Sequence, residues 1–365
     1  MKVFVTGATG FVGNNLVRKL LGKGYEVNVL ARKSSNLMTL KNIDVKVFEG
    51  DMLEPGSLSE AMRGCKVCFH VAAKYSFWAR NPNDFYRTNV EGTRNIMFAA
   101  YKAGIEKIVY TSSESTVKFD SKEQNIFESA QNIHKSVQAA GLKPQQNNIA
   151  ENASYGYAEL NKIEDVAGGY KKSKILAEIE IRKLIDDGWP IVVVAPTTPI
   201  GAWDIKPTPT GRIILDFLLG KMPAYVNTGL NVIDVEDVAD GHILALEKGK
   251  IGKKYILGNK NLTLKQIFET LTILTGIKTP DIQIPLWVAK TFGGIDEFFL
   301  GKIMKKKPSI PLDAVRSAYK FRFFNCEKTI EELGLPQSPV EDAFKKAVNW
   351  FVKYGYVNGF AKNRL

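Results

Sequence analysis

Short apolar, β-branched runs recur along the first half of the chain, and between them apolar positions repeat at helical spacing. The runs Lys2–Thr6, Glu26–Ala31, Val45–Glu49, Val67–Ala72, Lys107–Ser112 and Trp189–Thr197 read as strands. Leu16, Val17, Leu20 and Leu21 share one helical face that Gly22 and Gly24 bring to an end, and Thr93–Ala103 reads as a later helix. Strand and helix in alternation predict an α/β fold, a parallel sheet with helices on both faces.

Beyond Pro196 the pattern changes. Prolines at 196, 199, 207 and 209 argue against a helix there. Val232–Asp234 and Tyr255–Leu257 are expected to return to the first sheet. Residues 1–200 with 230–258 then form one domain, and 201–229 with 259–365 form a smaller α/β region that would hold substrate. The amide-rich stretch 118–169, with an insertion at about 118–150, is long for a connection. It is expected to be a solvated excursion with a helix over Ile126–Ala140.

The loop Thr6-Gly7-Ala8-Thr9-Gly10-Phe11-Val12-Gly13 lies between the first strand and the first helix. Glycines there let the backbone turn tightly and approach a pyrophosphate, which the helix N-terminus attracts with unpaired N–H groups. The strand before and the helix after make the loop a dinucleotide cradle. Where the second strand ends, Val29-Leu30-Ala31-Arg32-Lys33-Ser34 offers no carboxylate for a ribose 2′-hydroxyl. Arg32 would instead pair with a 2′-phosphate, so NADP is expected over NAD.

Tyr170-Lys171-Lys172-Ser173-Lys174 places a tyrosine and a lysine four residues apart, on one helical face. A free phenol titrates near 10 and is a poor base at neutrality. A neighbouring ammonium stabilises the phenolate and allows proton transfer.

The Gly-x-x-Gly-x-x-Gly spacing, Gly50-Asp51, His70-Val71-Ala72-Ala73, Asn89-Val90-Glu91-Gly92-Thr93, Tyr110-Thr111-Ser112-Ser113 and Tyr170-x-x-x-Lys174 together resemble the extended short-chain dehydrogenases. The resemblance implies a Rossmann-type doubly wound sheet. It is nearest to the hopanoid-associated sugar epimerases and the dihydroflavonol 4-reductase-like proteins. Its most specific portion runs from Lys206-Pro207-Thr208-Pro209-Thr210-Gly211-Arg212 to Val235-Glu236-Asp237.

Carried over residue by residue, the resemblance makes Tyr170 the acid/base and Lys174 the ribose-holding partner. Ser113 would bond the reacting oxygen, with Ser112 as fallback. Gly7, Thr9, Gly10, Phe11, Val12, Arg32, Asp51, Met52, Val71, Ala72, Ala73, Asn89, Ser112, Pro196 and Thr198 would line the cofactor. Lys74, Ser113, Thr197 and Arg212 would face substrate, and Arg212 or Lys206 could hold an acidic group. His70 is expected to be structural. Two reactions remain open: net reduction or dehydrogenation at a hydroxyl/ketone carbon, and sugar epimerisation or dehydration with a retained cofactor.

The formal charge of +12 suits a phosphorylated cofactor, and no nucleic-acid motif accompanies it. Cys65 and Cys68 have metal spacing but no second pair, so no metal is expected. Three cysteines and no apolar run of membrane-spanning length predict a cytoplasmic enzyme. Its expected partners are a small-molecule substrate and, as an allowed case, a second copy of the chain. Lys305-Lys306-Lys307, after the apolar stretch Ile284–Met304, suits an anionic membrane, but a solvated helix end is the plainer reading.

Overall fold

The computed structural model describes residues 1–118, 160–319 and 321–357. Its main sheet has seven parallel strands: β1 (Lys2–Thr6), β2 (Glu26–Ala31), β3 (Lys46–Glu49), β4 (Val67–His70), β5 (Lys107–Thr111), β6 (Ile191–Pro196) and β10 (Lys254–Leu257). They lie in the order β3-β2-β1-β4-β5-β6-β10. The order reverses between β1 and β4, and ligands of open parallel sheets bind beyond the strand ends at that point.

Alternation along β1 divides the core. Val3 and Val5 pack with Leu16, Val17 and Leu20 of the helix Phe11–Gly22 and with Val238 and Ile243 of the helix Val235–Glu247. Phe4 points the other way, with Ile96 and Met97 of the helix Gly92–Lys102 and Ile181 of the helix Gly169–Asp186. The parallel, doubly covered sheet is the one predicted.

Three expectations change. Val232–Asp234 does not return to the first sheet. It belongs to β9 (Gly229–Asp234), which pairs with β7 (Thr198–Ile200) and β11 (Lys260–Thr263) in a separate three-stranded sheet, while β8 (Ala224–Val226) pairs with β12 (Ile282–Ile284). The open edge of β6 is already taken by β10, with Tyr255 beside Val194, so β9 has no place there. The prolines do not exclude a helix, because Pro209 opens Pro209–Leu218 and Thr208 caps it by accepting from the Gly211 N–H. A proline at the first helical position removes only an N–H that would have no partner. The strand expected over Trp189–Thr197 is shorter, and β7 follows it. The helix expected over Ile126–Ala140 lies outside the described residues.

A second core, with Ile214, Phe217, Phe268, Phe344 and Trp350, holds the smaller region together.

Candidate active site

The glycine loop leaves β1 at the strand reversal. Gly7 has φ +74°, a conformation that side chains resist, and a Cβ there would stand 2.7 Å from the Ala72 nitrogen. A Cβ on Gly13 would meet the Gly7 carbonyl oxygen at 2.2 Å, so only glycine lets the first turn of the helix lie on the loop. Gly10 caps that helix with no side-chain hydrogen bond, and no acidic residue stands in its first turn. Its N–H groups and partial positive charge therefore remain open to a phosphate. The loop fits a pyrophosphate. Thr9, Phe11 and Val12 lie on this same turn.

His70 ends β4 directly beside Thr6. The Thr6 hydroxyl lies 2.8 Å from His70 Nδ1 and accepts from the Val71 and Ala72 N–H groups. Thr93 donates to the Asn89 carbonyl, so it accepts from His70 Nε2–H at 2.9 Å. The imidazole is fully enclosed, and burial drives its pKa down to about 3, with the Lys174 charge acting the same way. It stays neutral and shapes the turn that carries Val71, Ala72 and Ala73. Asn89 holds the next part of that loop: it accepts from the Lys74 N–H at 2.7 Å and donates to Ser173 at 2.9 Å. Its amide is thus engaged by protein groups. Asp51 likewise accepts from the Leu53 N–H, and buried Met52 accepts from Asn95 through its carbonyl.

The helix Gly169–Asp186 carries Tyr170, Lys174, Glu178 and Arg182 at four-residue intervals. Lys174 is 2% exposed and donates to the Thr111 carbonyl at 2.8 Å and the Tyr110 hydroxyl at 3.2 Å. Burial pulls its ammonium down to about 8, Glu178 pushes it back up, and Lys254 lowers it. Glu178 is buried too, and binds Lys254 at 2.8 Å, Thr116 at 2.8 Å, Arg182 at 3.2 Å, and Ser112. Burial opposes its charge, yet Lys254 and the hydroxyl donors hold the carboxyl below its ordinary value.

The two serines differ in their partners. Ser112 donates to Glu178, whereas Ser113 shares a hydrogen bond with Tyr170. Ser113 accepts from the Ser115 N–H and hydroxyl, which leaves its own proton to donate. Burial raises the Tyr170 phenol above its ordinary value, Tyr75 adds to the rise, and Ser113 opposes it. The phenol therefore stands protonated, ready to donate.

The outer wall is aromatic. The Tyr75 ring lies 4.8 Å from that of Tyr170 and 6.4 Å from Phe77. The Tyr75 hydroxyl shares a hydrogen bond with Thr210, which brings the segment before Arg212 to the edge of the site. Lys74, by contrast, pairs with Asp84 at 2.7 Å, and Arg212 turns along its helix to Asp216 at 2.9 Å. Arg322 pairs with Glu114. The Thr197 hydroxyl donates to the Leu257 carbonyl, while Pro196 and Thr198 lie buried at the ends of β6 and β7. Arg32 is exposed at the end of β2, and Lys206 is exposed in the loop before Pro209.

The sequence alone does not single out Glu178, Lys254, Tyr75 or Arg322. Continuing the four-residue spacing past Lys174 reaches Glu178. Nothing in the sequence links Lys254 or Arg322 to the site, because tertiary packing alone brings them in.

Among the described residues no cluster of histidine, cysteine or carboxylate side chains could hold a metal. Cys65 and Cys68 are buried free thiols. No helix among the described residues is long and apolar enough to cross a membrane.

The model of the NAD dependent epimerase/dehydratase family matches residues 3–139 and 145–258. A putative dihydroflavonol 4-reductase of Synechocystis is 45% identical over 97% of this chain and 95% of its own length. The sterol demethylase protein B of Methylococcus capsulatus is 28% identical over 98% of this chain and 100% of its own. The crystal structure of gox2253 is similar with a TM-score of 0.78 at 36% identity, covering 98% of this chain and 99% of that one. With its glycine loop at the strand reversal and the Tyr170–Lys174 face beside it, this chain belongs to the NAD dependent epimerase/dehydratase family and is a nicotinamide-dependent oxidoreductase of the extended short-chain type.

Proposed function

We propose that the enzyme reduces a ketone to a secondary alcohol, or runs the reverse oxidation, on an uncharged and largely apolar substrate with exchangeable NADP(H). The observation that carries this reading is the charge state of the substrate side. Arg212, expected with Lys206 to hold an acidic group, and Lys74, expected to face substrate, are each paired with a carboxylate of their own chain, as is Arg322. Tyr75 and Phe77 instead extend an aromatic wall from Tyr170. A nucleotide-sugar would have to draw a cation from one of these pairs, or rely on exposed Lys206, to neutralise its diphosphate. The similarity to a putative dihydroflavonol 4-reductase and to a sterol demethylase protein supports the same substrate character.

When bound, the nicotinamide supplies the hydride. Tyr170 gives its proton to the carbonyl oxygen, and Ser113 steadies that oxygen with the hydrogen bond it can still donate. The Lys174 ammonium, one helical turn away, stabilises the phenolate left behind. Glu178 and Lys254 hold Lys174 and Ser112 in position from beneath. Exposed Arg32, with Lys33 and Ser34 beside it, selects the 2′-phosphate.

The test is a mass spectrum of small molecules released from denatured protein, together with titration of the purified enzyme by NADPH and NADH. An empty site that takes up NADPH in preference supports a net reductase. A stoichiometric retained NAD would favour epimerisation or dehydration.

A further inference from the structure

One apolar face is left bare by the fold. The helix Leu286–Asp296 runs on into the π-helical turn Glu297–Ile303, and Trp287, Phe292, Ile295, Phe298, Phe299 and Ile303 are each more than half exposed. Trp287, Ile295, Phe298 and Phe299 line a single shallow depression together with Lys290. Large side chains gathered in this way mark an interaction surface.

The charges around it have one sign. Residues 286–307 contain Lys290, Lys302, Lys305, Lys306 and Lys307 against Asp296 and Glu297. Both carboxylates turn to the chain itself: Asp296 accepts from the Ile310 N–H at 2.7 Å, and Glu297 from the Leu312 N–H at 2.8 Å. All five lysines are exposed, and none has a carboxylate partner among the described residues.

The inner side of this segment abuts the mouth of the site. Arg80 donates to the Lys305 carbonyl at 3.3 Å, a Cβ on Gly301 would stand 3.3 Å from Trp78 Nε1, and on the following helix Leu312–Ser317 the Ser317 hydroxyl accepts from Lys171 at 2.8 Å. Trp78 belongs to the loop that carries Tyr75, and Lys171 follows Tyr170.

We propose that this face docks the enzyme on an anionic membrane surface, its aromatic and aliphatic side chains entering the headgroup region while the lysines meet acidic headgroups. The solvated helix end expected from the sequence leaves the aromatic exposure unexplained. Interfacial binding uses apolar area and cationic charge together, and both are present on one face. A second copy would cover the apolar area, but a two-fold contact would set the five unneutralised lysines against themselves. Docked in this way, the segment that packs on the Trp78–Arg80 loop rests on the bilayer and keeps the mouth of the site near the membrane.

Sedimentation of the full chain with vesicles tests this, comparing phosphatidylglycerol mixed into phosphatidylcholine against phosphatidylcholine alone. The wild-type chain should sediment with the anionic vesicles and stay in solution with the neutral ones. Phe298→Ser with Phe299→Ser, and separately Lys305→Glu with Lys306→Glu and Lys307→Glu, should each lower partitioning by on the order of 10²-fold while circular dichroism stays unchanged. A wild-type chain that ignores anionic vesicles, binding that neither set of changes weakens, or a dimer that the phenylalanine changes dissolve would overturn the proposal.

Discussion

Lys174 and Glu178 stand one turn apart on the helix Gly169–Asp186, and the carboxylate restores part of the proton affinity that burial takes from the ammonium. Replacing Glu178 with Gln removes the group that raises Lys174, so the ammonium should deprotonate below about 8. The alkaline fall in activity then moves to lower pH in Glu178→Gln. Lys254 also loses its partner, and breaking a buried pair costs roughly 3–5 kcal/mol. A pH–rate profile beside a thermal melt measures both effects. An unshifted alkaline limb would mean that Glu178 supports only the fold.

The two glycines of the loop should behave differently. A Cβ on Gly10 meets the Gly7 carbonyl oxygen at 3.2 Å, close but tolerable, whereas one on Gly13 meets it at 2.2 Å. Gly10→Val should fold and lose NADPH affinity, read by fluorescence titration. Gly13→Val should lower the melting temperature as well. Unchanged affinity in Gly10→Val would remove the loop from the cofactor site.

Arg32→Ala should reduce the preference for NADPH over NADH. A hydrogen bond to a charged group contributes about 1.5–3 kcal/mol, so the ratio of affinities should change ten-fold or more. Calorimetry with both cofactors decides it. A ratio that stays constant would make Arg32 a solvated turn residue.

The fold, and the placing of Tyr170 and Lys174 on one helix, were legible because local rules carry them. Period-two and period-3.6 patterns gave the strands and helices of the main sheet, and a four-residue spacing joined Tyr170 to Lys174. What escaped depends on contacts between distant residues. The placement of β9 turns on β10 having already taken the edge of β6, and no pattern within Val232–Asp234 encodes that. Lys74 and Arg212, expected to face substrate, also pair with Asp84 and Asp216, and no local pattern marks those pairings. The sequence shows a cation's position and not whether it is already paired.

Asp204 gives a pH signature on stability. It is 2% exposed, accepts from the Thr208 N–H and hydroxyl, and burial raises its carboxyl to about 6 in spite of those bonds. The folded chain therefore holds this proton more tightly than the unfolded chain, and stability from this group is lost as pH rises through about 6. Asp204→Asn stays neutral and keeps an acceptor. Its melting temperature should exceed the wild-type value above pH ~7, by an amount equivalent to roughly 2–3 kcal/mol, and the gap should close toward pH ~4. A gap of the same size across that range would contradict the assignment.

If Tyr170 delivers the proton, removal of its hydroxyl should all but abolish turnover and leave cofactor binding intact. NADPH oxidation by wild type and Tyr170→Phe can be followed by absorbance with a panel of apolar ketones, alongside NADPH affinity for both. The phenylalanine ring preserves the contact with Tyr75, so cofactor affinity and melting temperature should persist while turnover falls by about 10²–10⁴. Near-normal turnover in Tyr170→Phe, with any ketone that the wild-type enzyme accepts, would contradict the account.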